Sequence, residues 1–201
     1  MQASHLVLTG PELSRLLYQL DACPEAHEWV YGHEHLDSLA LYTRAPAGWI
    51  IWLGAMFGRP EALGAVVKLA ALWLAGQPQT DAEVIAALLV VDVVARWRQG
   101  LETEESLRVA HTAACERWTG THPTHDGSPA QHVARCVAQA AWAANQGENG
   151  SAASWADDAV KALCYGAPLD DLATAVLTRH HLPYDMLAAC VRPILRDIRG
   201  A

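Results

Sequence analysis

Lysine is nearly missing from this chain. Lys68 and Lys161 stand alone in a basic complement that is otherwise arginine. Lys and Arg together number 14 against 22 Asp and Glu, a formal net charge of -8. Such a balance gives no general attraction to nucleic acid or to anionic lipid, so neither is expected as a partner. Cysteine is sparse and scattered. Cys23, Cys115, Cys136, Cys164 and Cys190 are odd in number and include no Cys-x-x-Cys pair, which argues against a secreted disulfide framework. Reduced, buried thiols in a cytoplasmic protein are the expectation. Met1 to Leu6 lacks the basic and long apolar regions of a signal peptide. The longest charge-free apolar window, Ala45 to Gly58, falls short of the ~20 residues a spanning helix needs.

Catalytic signatures are missing too. The chain holds no Gly-x-Ser-x-Gly, no His-Glu-x-x-His, no phosphate-cradling Gly-x-x-x-x-Gly-Lys and no Gly-x-Gly-x-x-Gly. No Val/Ile/Thr run alternates with period two between turn residues, and His5 to Leu8 is the one weak strand candidate.

What is present is apolar and helical. Residues of the AVILMFWYC set make up 52% and charged residues 18%, enough to bury a core. The fold expected is all-α, an orthogonal bundle of about nine to ten helices in one domain, with a soft boundary at the 120–129 loop. Thr9-Gly10-Pro11-Glu12 and Thr80-Asp81-Ala82-Glu83 have the spacing of capping boxes. Helical segments are read at 24–31, 34–43, 46–57, 60–75, from Thr80 to about Gln99, from Glu102 or Thr103 to Thr119, and at 129–145, 154–165, 169–179 and 183–199. Pro193 is expected to kink the last. The segment Val84 to Trp97 is apolar nearly all round and reads as a central helix, interrupted by Asp92, for which Arg96 is the intrahelical partner. Paired alanines (Ala140-Ala141, Ala152-Ala153) imply closely approaching axes. Eight Trp against one Phe imply inter-helix indole wedges, and any exposed Trp would mark a binding surface.

Few residues suggest chemistry. His111-x-x-x-Cys115 and His132-x-x-x-Cys136 each place two metal-binding side chains on one helix face. Four such ligands on antiparallel neighbours would make a tetrahedral zinc site, though pairs at this spacing also arise at ordinary helix interfaces. His33-Glu34-His35, His122-x-x-His125-Asp126 and His180-His181 read as solvated turns. Asp157-Asp158, Asp170-Asp171 and Glu102, Glu104 and Glu105 lie near expected helix starts, where the helix dipole favours carboxylates. The same seven acids are the candidate contact residues if the outer face binds a basic partner. No catalytic residue and no cofactor is expected.

Three blocks follow in order: Cys23-Pro24-Glu25-Ala26-His27-Glu28-Trp29, then Gly48-Trp49-Ile50-Ile51-Trp52-Leu53-Gly54-Ala55-Met56-Phe57-Gly58, then Ala95-Arg96-Trp97-Arg98-Gln99-Gly100-Leu101-Glu102-Thr103-Glu104-Glu105-Ser106-Leu107-Arg108. Over roughly the first 120 residues this order resembles the predicted bacterial immunity proteins of the Imm5-like group. The resemblance implies a cytoplasmic, non-catalytic protein that binds and neutralises a toxin. A phage-borne inhibitor of a host factor is the near alternative. A self-assembling structural subunit would instead show a large apolar self-association patch. A metal-dependent helical enzyme would show a cavity where at least three His and Asp side chains converge.

Overall fold

The computed structural model describes residues 8–116, 128–163 and 171–200, without the side chains of 196–200. Eleven helices and no strand occur among the described residues: α1 (Gly10–Gln19), α2 (Pro24–Gly32), α3 (Ser38–Arg44), α4 (Ala47–Met56), α5 (Pro60–Ala75), α6 (Ala82–Arg98), α7 (Glu104–Glu116), α8 (Pro129–Asn145), α9 (Asn149–Ala162), α10 (Asp171–His181) and α11 (Tyr184–Gly200). The fold is all-α, with slightly more helices than the sequence suggests. His122, His125, Asp126, Trp118, Cys164, Asp170 and most of the 120–129 loop lie outside the described residues.

Local chemistry explains most helix starts. Glu12 Oε2 accepts the Thr9 N–H at 2.9 Å, so the first capping box forms as read. The second does not. Asp81 caps α6 in place of Thr80, its carboxylate accepting the Glu83 N–H at 2.8 Å. The third helix begins at Ser38 rather than near Glu34, because Asp37 accepts the Ala40 N–H at 2.8 Å and ends the preceding turn there. Helix α9 begins at Asn149, five residues before the expected start, and takes up part of the Gly/Asn segment read as a loop. Helix α11 runs on through Pro193.

The centre of the molecule is α5 and not α6. Helix α5 packs against α4, α6, α8, α9 and α10, and its Val66, Leu69, Ala70 and Leu74 are essentially without solvent contact. Helix α6 buries only Val84, Ala87, Val91 and Val94. Ile85 and Leu89 on its other side are 46% and 64% exposed. Apolar periodicity all round a helix permits burial on every side but cannot supply the neighbours: α6 packs against α5, α7 and α8 and leaves the stripe through Ile85 and Leu89 open. Asp92 is exposed, and Arg96 pairs not with it but with Glu102, at 3.0 Å.

The alanine pairs act as expected. Ala140 and Ala141 of α8 and Ala152, Ala153 and Ala156 of α9 are buried, in the most closely associated helix pair of the fold. None of the described tryptophans is exposed; Trp73 is buried and the others are partly covered.

Buried side chains form three clusters rather than one. The largest joins α4 to α9, with Leu187 of α11 in it and Leu177 of α10 packed against it. A second lies between α1 and α11, around Leu16, Val191 and Leu195. A third, around Leu17, Ala26 and Val30, lies between α1 and α2 with Trp29, Trp49 and Trp52 against it. The N-terminal helices therefore meet the main bundle across a seam.

Candidate functional site

That seam holds a cavity of about 360 Å³, within the ~300–1,000 Å³ range of small-molecule sites. Six helices contribute to its wall. Leu13, Leu16 and Leu17 come from α1, Trp29 and Val30 from α2, Leu41 and Tyr42 from α3, Trp49, Ile50, Trp52 and Leu53 from α4, and Leu187, Ala188 and Val191 from α11. Helix α9 supplies Ser154, Asp157, Asp158 and Lys161. Trp29 and Trp49 meet edge to face with ring centroids 5.6 Å apart, joining α2 to α4 across the seam.

Polar atoms of the wall are mostly satisfied within the protein. Ser38 Oγ accepts the Leu8 N–H at 2.8 Å and lies 2.6 Å from the Tyr184 hydroxyl. The Tyr42 hydroxyl donates to the Leu182 carbonyl at 2.7 Å. Burial pushes both tyrosines above the ordinary phenol range. A guest would thus meet hydrocarbon and aromatic rings, with few free hydrogen-bonding groups.

Charge gathers at one part of the wall. Lys161 Nζ and Asp157 Oδ2 are 2.7 Å apart, and the Asp157 side chain is 14% exposed. Its other oxygen lies against Gly48, where an added Cβ would stand 2.6 Å away. Gly48 thus lets α4 approach α9 closely enough to enclose this carboxylate. The Asp157 hydrogen bond raises the Lys161 ammonium above its usual range, and Asp158 and Cys23 lie near enough to add to that. Asp158 is half-buried, and burial raises its carboxyl above the usual range. Cys23, in the turn between α1 and α2, belongs to this part, and Asp21 of the same turn, whose φ is 53°, also lines the cavity.

The acidic residues read from the sequence divide in two. Asp157 and Asp158 are brought together on the cavity, and they lie well inside α9 rather than at its start, so the helix dipole does not explain them. The others are spread over the surface and largely engaged. Glu102 pairs with Arg96, Glu104 accepts from Asn145 Nδ2 at 3.0 Å, and Glu105 takes a two-pronged bond from Arg108. Asp171 is exposed in the first turn of α10.

The two His/Cys pairs do face one another along their helices. His111 Nε2 is 3.6 Å from Cys115 Sγ, and His132 Nε2 is 3.8 Å from Cys136 Sγ. They do not converge as a tetrad. Gln139 Nε2 from α8 donates to Cys115 Sγ at 3.1 Å, and the His111 ring stacks on Trp142 at 5.4 Å. Among the described residues no three His, Cys, Asp or Glu side chains are grouped as metal ligands are. Burial pushes the Cys136 thiol up to about 12, so it is held protonated near neutral pH. His33 Nδ1 lies 2.7 Å from the Trp29 carbonyl, and His180 and His181 form the end of α10, just ahead of α11, rather than a solvated turn. The four described cysteines are free, but only Cys136 is buried; Cys115 and Cys190 are partly covered and Cys23 is exposed.

Trp29, Tyr42, Trp49, Tyr184 and Lys161 were missed as site residues by the sequence reading. They come from five helices, and no local spacing links them. A second cavity lies between the α4–α5 turn, the end of α6 and the starts of α8's last turn and α9, with Arg59, Arg98 and Asn149 in its wall. No helix among the described residues is long and apolar enough to cross a membrane. No protein-family model matches the chain, and no curated protein or solved structure matches it.

Proposed function

We propose that this chain is a non-catalytic helical binding protein whose principal site is the cavity between α1–α4, α9 and α11. The observation that carries the proposal is a half-open space of about 360 Å³ with leucines and indoles for walls. Its lining contains no histidine, and its hydroxyls are already engaged, which favours holding an apolar guest over moving protons. The seam between separate buried clusters gives the guest a route, since α2 associates closely with α1 and only loosely with the main bundle. The test is titration with 1-aminoanthracene, an uncharged fluorophore. Saturable fluorescence enhancement at one equivalent per chain is expected, with loss of binding in Ala26→Phe and Ala188→Leu, which fill the cavity. A wild-type chain giving no enhancement would overturn the proposal.

Capture of a protein partner, as the resemblance to immunity proteins implies, is the second reading. It is favoured by Ile85 and Leu89, two exposed apolar side chains one turn apart on α6. The experiment is recovery from the native host with tagged protein. A protein retained by the wild type and lost with Leu89→Glu supports this reading. Identical recovery by both chains removes α6 as the contact face.

A further inference from the structure

The wall of the cavity is not neutral in its chemistry, and its imbalance selects among apolar guests. Three carboxylates, Asp21, Asp157 and Asp158, stand there against one ammonium, Lys161. That ammonium is already held by Asp157 at 2.7 Å. No salt bridge to Asp158 forms among the described residues. Its neighbours at longer range are Lys161 and His132, and burial disfavours both its own carboxylate and the charged form of His132. A half-buried carboxylate without a close counter-ion is stabilised by any cation brought beside it. The apolar part of the wall adds a second attraction. Trp49 and Trp52 line the same space, and indole rings attract a positive charge, most strongly when water is displaced; the Tyr42 ring already carries Arg179 and the Trp29 ring lies on His33. An anionic guest would meet the opposite: Lys161 is spoken for, and two further carboxylates repel it.

We propose that the cavity takes an apolar or aromatic small molecule bearing one positive charge, its body among Trp29, Trp49 and Leu41 and its cationic group beside Asp158. This rests on the cavity being the binding site and adds the class of ligand. A quaternary or protonated amine with a short hydrocarbon body has the required chemistry, and the cavity of about 360 Å³ limits it to a compact one.

The test is calorimetric titration of the full chain with octyltrimethylammonium, octanol and octanoate, all below their aggregation concentrations. The expected order is cation, alcohol, anion, with the cation at least about tenfold tighter than the anion, the scale of a desolvated cation–aromatic contact with a nearby carboxylate. Asp158→Asn keeps side-chain size and is expected to weaken the cation several-fold while leaving octanol unchanged. Asp21→Asn, at an exposed position of the same cavity wall, is a second variant whose folding is not at risk, and it is expected to weaken the cation less than Asp158→Asn does. Equal binding of the cation and octanol, or tighter binding of octanoate, overturns the charge assignment while the cavity stands as an apolar site. Failure of all three to bind removes the site and the ligand class together.

Discussion

Arg179 of α10 lies with its guanidinium carbon 5.6 Å from the centroid of the Tyr42 ring and donates from Nη2 to the Tyr42 carbonyl at 3.0 Å. The same nitrogen reaches the carbonyls of Thr43 at 2.8 Å and Ala45 at 2.9 Å. These are carbonyls at the C-terminal end of α3, which have no partners further along the helix. A cation there also meets the negative end of the helix dipole. Arg179 thus ties α10 to the short helix that carries Ser38, Leu41 and Tyr42 into the cavity wall.

Removal of this tie is expected to lower stability. Arg179→Ala leaves carbonyls without donors, and the loss expected is about 2 kcal/mol, the range of hydrogen bonds to a charged group. Arg179→Lys recovers only part of it, because one ammonium cannot match a planar fork set over a ring. Urea unfolding followed by circular dichroism measures both. An Arg179→Ala midpoint equal to the wild type would show that the tie is incidental.

Two glycines should respond in opposite directions to alanine. A Cβ at Gly10 would stand 2.8 Å from Glu34 Cα and from the Glu34 carbonyl oxygen. Backbone cannot swing aside as a side-chain end can, so Gly10→Ala is expected to cost about 1–3 kcal/mol. Gly150 lies in the first turn of α9 with open space around its Cα. There the lower entropy of the unfolded chain dominates, and Gly150→Ala is expected to gain about 0.5 kcal/mol. Thermal unfolding of the two variants side by side decides it. A stabilising Gly10→Ala would contradict the close approach of α1 to the residues after α2.

Thiol labelling should follow exposure. Cys23 is exposed, Cys115 and Cys190 are partly covered and Cys136 is buried. Burial also holds the Cys136 thiol at about 12, leaving almost no thiolate near neutral pH. Among these four, reaction with a disulfide reagent is expected to be fastest at Cys23 and at Cys136 to wait for unfolding. Peptide mapping after timed quenching gives the order. Early labelling of Cys136 would be inconsistent with the α8 packing described above.

Acidification should weaken the fold. Burial lowers both His132 and His181 below the ordinary 6.5; at His181 the charges of His180, Arg98 and Lys68 add to the effect. The unfolded chain takes up these protons first, so the stability they provide is complete above that ordinary value and is lost as pH falls through the depressed folded values. Asp158, raised by burial, works the other way at lower pH: the folded state binds its proton first, and stability falls as pH rises through that window. Urea midpoints are expected to drop between pH 7.5 and pH 5.5, less steeply in His132→Gln. A profile flat over that interval would mean the imidazoles charge without opposition in the fold.

Much of the fold was legible because its signals are local. The Thr9/Glu12 box marks α1, and Pro60 and Pro129 each open a helix at the expected residue. Errors arose where two local signals competed, as at Thr80 and Asp81, or where the loop read over 147–151 gives way to helix from Asn149 onward. The cavity was not legible. Asp157 and Lys161 form a visible i, i+4 pair, yet nothing in the sequence connects them to Trp49, Tyr42 or Cys23.

By itself the sequence determined that this protein is helical, where most of its helices begin, and that its alanine-rich segments can approach closely, because capping, proline placement and side-chain size act within a few residues. Tertiary structure alone decided that α5 and not α6 is central. It also decided that the buried side chains divide into three clusters and that the seam between them encloses an aromatic space with acids in its wall. The physical reason is that burial is a property of neighbours. A helix apolar on all sides can be covered or left open, and which of these happens depends on where distant segments, here α1, α2 and α11, come to rest.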